Sequence, residues 1–143
     1  MGNATGLVQT QSDVLKVGLV QMAPVWLDRV RTLEKVERFV VEAAREACGL
    51  VVFGEALVPG YPFWLALTDG ARFNDASQKK MHAHYLAQGV VLERGDLDPL
   101  CRLAAEHSIA IYLGVMERAL DRGGHSLYCS LVFIDSSGQI GSV

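Results

Sequence analysis

The chain has 143 residues, half of them apolar and 20% charged, with a formal net charge of -3. The length suits one folding unit, and the apolar content argues against disorder. Thirteen Lys and Arg against sixteen Asp and Glu leave no electrostatic footprint for nucleic acid and no polybasic patch for a membrane surface.

No apolar run approaches the roughly 20 residues that span a bilayer, and the polar start lacks the apolar stretch of a signal peptide. Cys48, Cys101 and Cys129 are odd in number and widely spaced. They predict neither a disulfide framework nor a zinc site, and they fit a reducing, cytoplasmic setting.

Residues 1–15 read as a flexible polar tail. An apolar run at Lys16–Met22 predicts a buried strand that stops before Pro24. Asp28 can cap a helix starting near Arg29. Leu33, Val36, Val40, Ala44 and Ala47 then make one apolar stripe, and Gly49 is the expected C′ residue. Leu50–Phe53 follows as a second strand. Strand, helix and strand make a βαβ unit with the two strands parallel.

Gly54–Tyr61 is turn-rich. A helix is expected over Asp75–Gln88, with Met81, Tyr85 and Gln88 on one side. Asp98-Pro99 opens another helix, Asp98 as its cap. Ile109–Val115 is apolar on both parities, the pattern of a strand covered on both faces. Ser126–Ile134 is a further strand, and Gln139–Val143 the opening of one more. The order β-α-β-α-α-β-β is α/β. Ending on entry to a strand predicts a partial domain over residues 16–143, truncated at its C-terminal end.

Glu55 is the strongest candidate for chemistry. It follows the strand Leu50–Phe53, and open α/β sheets gather ligands at the carboxyl ends of strands. Apolar neighbours would desolvate it and suit it to general-base work. The alternative is a Glu that holds the turn through loop amides. Glu117 stands in the same relation to Ile109–Val115 and could share one cleft with Glu55, or form a salt bridge with Arg118 or another surface Arg instead.

Tyr61 and Trp64, with Phe63 between them, are either a substrate wall near Glu55 or ordinary packing. His82 and His84 lie two apart on a helix, a spacing that does not serve one metal. Each cysteine reads as a buried, inert thiol, Cys48 and Cys101 in helices and Cys129 in a strand.

Four blocks carry a resemblance: Val17-Gly18-Leu19-Val20-Gln21-Met22-Ala23-Pro24, then Phe53-Gly54-Glu55-Ala56-Leu57-Val58-Pro59-Gly60-Tyr61-Pro62, then Gly114-Val115-Met116-Glu117-Arg118, then Ser126-Leu127-Tyr128-Cys129-Ser130. In order and spacing they resemble the N-terminal portion of the nitrilase branch of the carbon-nitrogen hydrolase family. Gly54 stands where that family commonly has Pro.

The resemblance implies an α-β-β-α sandwich, frequent homo-oligomers, and conversion of a nitrile to a carboxylic acid and ammonia through a Glu, a Lys and a nucleophilic Cys, with no metal or organic cofactor. It matches the general base to Glu55 and a supporting Glu to Glu117; Tyr61 and Trp64 stand beside them as candidate substrate contacts. The family's Lys and nucleophilic Cys have no counterpart in the sequence, so the chain alone is expected to be inactive. An amidase or carbamoylase of the same superfamily, acting on an amide, and a non-catalytic pairing module are the other readings.

Overall fold

The computed structural model describes residues 14–70 and 72–143. Most of the expected tail, residues 1–13, lies outside the described residues. Five strands form one sheet in the order β1 (Val17–Val20), β2 (Leu50–Phe53), β3 (Ala110–Glu117), β4 (Tyr128–Ile134) and β5 (Ile140–Ser142). β1, β2 and β3 run parallel, β4 returns antiparallel to β3, and β5 reverses again against β4.

The first crossover is helix α1 (Arg29–Arg45), capped as expected by Asp28, whose carboxylate accepts from the Arg31 amide at 2.9 Å. Its buried side is Thr32, Leu33, Val36, Val40 and Ala43. Thr32 tolerates full burial because its hydroxyl donates to the carbonyls of Asp28 and Val25.

The helix stops earlier than expected, and Gly49 is not its C′ residue. Ala47 takes that place at φ 58. Cys48 N–H donates to Ala43 O and Ala47 N–H to Ala44 O, the paired bonds of a Schellman ending. Ala47 and Cys48 therefore leave the helix, and the inner stripe ends at Ala43.

Between β2 and β3 the chain makes a single turn of helix, α2 (Trp64–Leu67), then α3 (Ala76–Ala87) and α4 (Asp98–His107). The short α2 was not anticipated. Asp98 is not the cap of α4: Leu97 holds that place and Pro99 sits in the first turn, a shift of one residue that leaves the proline where its missing N–H costs nothing.

The core lies on one face of the sheet. Val36 and Val40 of α1 and Leu100 and Ala104 of α4 pack there over Val51, Ile111, Leu113, Val132 and Ile134. The opposite face is also apolar, but among the described residues no helix covers it. Leu19 is 80% exposed and Leu131 54%, and the Tyr112 and Phe133 rings lie 4.7 Å apart on adjacent strands. The double apolar parity of β3 thus marks a strand covered by helices on one face and only partly covered on the other. Among the described residues no helix is long and apolar enough to cross a membrane.

Candidate active site

The backbone path around Glu55 sets the site. Pairing of β2 with β3 ends at Val52 and Tyr112. The chain then turns through Gly54–Leu57, with Ala56 at φ 49, and rejoins β3 where Val58 bridges Val115. Val58 N–H donates to Gly114 O at 3.3 Å, and Met116 N–H donates to Val58 O at 2.8 Å. Glu55 therefore sits on an arch between two stretches pinned to the same strand.

The arch closes onto Gly114. A Cβ there would lie 2.2 Å from Gly54 O and 2.7 Å from Glu55 Cα, so only glycine permits the approach. Beyond the arch, Gly60 adopts φ 115 and the Val58-Pro59 bond is cis. Leu27 N–H donates to Pro59 O, Trp26 Nε1 to Tyr61 O, and the buried Tyr85 hydroxyl to Gly60 O at 2.8 Å.

Glu55 itself is exposed. The expected apolar blanket does not form, because Ala56, Leu57 and Val58 turn into the core and leave the carboxylate facing outward. It forms a wall common to two hollows. One, of about 260 Å³, is lined also by Gly114, Cys129, Ser130 and Leu131. The other, of about 270 Å³, is lined also by Gln21, Met22, Tyr61 and Phe63.

Cys129 lies in a strand as expected, but it is exposed and not buried. Its Sγ stands 3.4 Å from Glu55 Oε1. Partial burial, then the hydrogen bond and negative charge of Glu55, push the Cys129 thiol up, against a smaller opposite pull from the Ala56 amide. Cys48 and Cys101 are both half-buried, Cys48 beyond the helix and Cys101 within α4. Burial pushes the Cys101 thiol up as well.

Glu117 ends β3 and is buried. It accepts from Ser130 Oγ at 2.6 Å. The alternative pairing with Arg118 does not occur; Arg118 Nε donates to Gly124 O instead. Cys129 and Ser130 are successive residues of β4, so their side chains leave the strand on opposite faces. The single cleft expected for the two carboxylates is not what the residues build. Glu117 lines its own hollow, which meets that of Glu55 at residues 129–131.

Of the aromatic cluster, Tyr61 is exposed beside Glu55, its ring 5.1 Å from that of Phe63. Trp64 is not brought to Glu55. It is 4% exposed, packs edge-on against Tyr85, and its Nε1 has no partner among the described residues. Phe63 holds the position expected of Trp64.

His82 and His84 are exposed, and His84 Nε2 lies 3.1 Å from Leu27 O. Among the described residues no three His, Cys, Asp or Glu side chains gather as a metal site. Sequence reasoning missed Gly114 and Ser130. A glycine inside an apolar strand was the available signal for the first, since it often marks close backbone approach.

An open mixed sheet with helices on one face and an acidic arch at the end of its second strand is an α/β layer. Residues 16–143 match the carbon-nitrogen hydrolase family, and the chain belongs to it. It is 36% identical over 125 residues to Nitrilase 2 of an unknown prokaryotic organism, covering 87% of this chain and 38% of that protein. It is 33% identical over 129 residues to the aliphatic nitrilase of Rhodococcus rhodochrous, covering 90% and 33%. The chain thus spans little more than a third of these relatives' length. A solved variant of the Nesterenkonia AN1 amidase from the nitrilase superfamily superposes with a TM-score of 0.57 at 16% identity, covering 96% of this chain and 44% of that one. The layer described above is accordingly part of an α-β-β-α sandwich.

Proposed function

We propose that this chain supplies the general base, Glu55, of a nitrilase-type hydrolase that converts a nitrile to a carboxylic acid and ammonia. The observation that carries the reading is the Glu55 carboxylate, raised on a braced arch at the end of β2, open to two hollows and, among the described residues, hydrogen-bonded only to a thiol. The nitrilase names borne by the sequence relatives favour nitriles over amides.

In this mechanism Glu55 takes the proton of a nucleophilic thiol, and the sulfur adds to the nitrile carbon. A lysine ammonium stabilises the charge that develops on nitrogen. Addition of water releases ammonia, and a second water, deprotonated by Glu55, frees the acid. The lysine and the nucleophilic cysteine are assigned to polypeptide outside these residues, in the same or a second chain. The bare apolar face carrying Leu19 and Leu131 is where the opposing layer would rest. Tyr61 and Phe63 form the substrate wall, and Glu117 supports the site from beneath β4.

Ammonia release from aromatic and aliphatic nitriles tests the reading on three proteins: this chain alone, the completed hydrolase, and the completed hydrolase carrying Glu55→Gln. The completed enzyme is expected to turn over and the chain alone to be inert. Loss of the general base is expected to cost about 10²–10⁴-fold in rate. Full activity in the Glu55→Gln protein overturns the role given to Glu55.

A further inference from the structure

We propose that Cys129 is a positioning residue for Glu55: its thiol donates to Oε1 and fixes the carboxylate over the hollow between β3 and β4. The inference rests on the reading of Glu55 as the base. Among the described residues this is the one hydrogen bond the Glu55 side chain makes. Gly114 fixes the Glu55 backbone, which limits the side-chain rotamers but cannot by itself hold the carboxylate in one of them. The thiol can, because it approaches from β4, an element separate from the arch.

Register makes the contact possible. Gly114 pairs with Leu131, and Met116 with Cys129. Cys129, Leu131 and Gly114 therefore share the face on which Glu55 lies, and all three line its hollow. A thiol that binds its proton more tightly than usual serves as a donor. Oε2 then remains for proton transfer with the nucleophilic sulfur assigned above to polypeptide outside these residues.

Two measurements test this. The first follows iodoacetamide alkylation of Cys129 against pH in this chain, by peptide mass spectrometry, with Cys48 and Cys101 as internal references. Glu55→Gln removes the charge that holds the proton on the thiol, so alkylation of Cys129 below about pH 9 is expected to speed up severalfold while the references do not change. An unchanged Cys129 profile shows that the contact is absent and overturns the proposal, whatever Glu55 does in catalysis.

The second compares Cys129→Ala and Cys129→Ser in the completed hydrolase. Loss of the donor is expected to lower kcat about fivefold to tenfold with KM within about twofold, and serine, which keeps a donor, is expected to recover most of it. If alanine matches wild type, Cys129 does not position the base, although Glu55 keeps its role. A covalent adduct on Cys129 during turnover, with serine as inactive as alanine, makes it the nucleophile and overturns the proposal. Full activity of Glu55→Gln removes the base reading and the inference with it.

Discussion

Glu55 rests on Gly114 with no room for a methyl group between them: a Cβ on the glycine would stand 2.7 Å from Glu55 Cα. The atoms in the way are backbone, which cannot rotate aside as a flexible side chain does. Gly114→Ala must therefore lift the arch or bend β3. Overpacking of this kind costs about 1–3 kcal/mol, which urea denaturation of the chain will read. Catalysis should suffer more than stability, because displacing a catalytic group by about 1 Å can cost on the order of a hundredfold. A Gly114→Ala enzyme with wild-type kcat would show that the arch does not place the base.

Arg29 and Asp96 brace the same region from the other side. Arg29 donates to the carbonyls of Ala87 and Gly89 and lies 3.4 Å from Asp96. Asp96 also takes two bonds from Arg94 and one from the Val91 amide. These contacts hold residues 87–96, and Val90 within them bridges Glu117.

Burial alone would raise the Asp96 carboxyl, but the Arg94 bonds, the Val91 amide and the Arg29 charge outweigh it and hold it below the usual range. A lowered carboxyl stabilises the fold above its unfolded value of about 3.9 and loses that contribution as pH falls through the folded one. Wild-type stability should therefore drop more steeply below about pH 4 than that of Asp96→Asn. At neutral pH the substitution should cost about 1–3 kcal/mol. Denaturation midpoints from pH 2 to 7 provide the comparison.

Tyr85 gives the opposite slope. Burial, and then the neighbouring Cys129 and Tyr61, push its hydroxyl well above the ordinary phenol range. The protonated phenol donates to Gly60 O in the turn after Glu55. The stability it contributes is complete below its unfolded value of about 10 and is lost as pH climbs from there toward the raised folded value. Tyr85→Phe should lack that alkaline limb. It should also cost about 1–3 kcal/mol at neutral pH, because a buried carbonyl loses its donor. Equal midpoints for the two proteins at pH 8 would refute the contact.

The sequence made the βαβ unit legible because its signals are local: Asp28 before a 3.6-residue stripe, and an unbroken run at Leu50–Phe53. Glu55 was legible for the same reason, standing just after that run. Its exposure was not, since only the fold decides that Ala56, Leu57 and Val58 turn inward. Trp64 and Phe63 exchanged places because a one-turn helix, too short to leave a period, rotates one inward and the other outward. The role of Cys129 was hidden by distance. Its partner lies 74 residues away, and register between strands, not spacing along the chain, brings them together.

Register also sets the partner of Glu117. Val115 pairs with Ser130 and Glu117 with Tyr128, so Ser130 Oγ reaches the carboxylate diagonally at 2.6 Å. A largely buried carboxylate that loses its donor recovers that bond only in part from water in its hollow. Ser130→Ala should therefore destabilise the chain by about 1–3 kcal/mol. Ser130→Thr, which keeps the hydroxyl, should recover part of that. Substituting both partners, Glu117→Gln with Ser130→Ala, should cost less than the sum of the single changes, because one interaction is removed only once. Strict additivity in that cycle would mean that Ser130 and Glu117 are not coupled in solution, and the support assigned to Glu117 would then have to come from elsewhere.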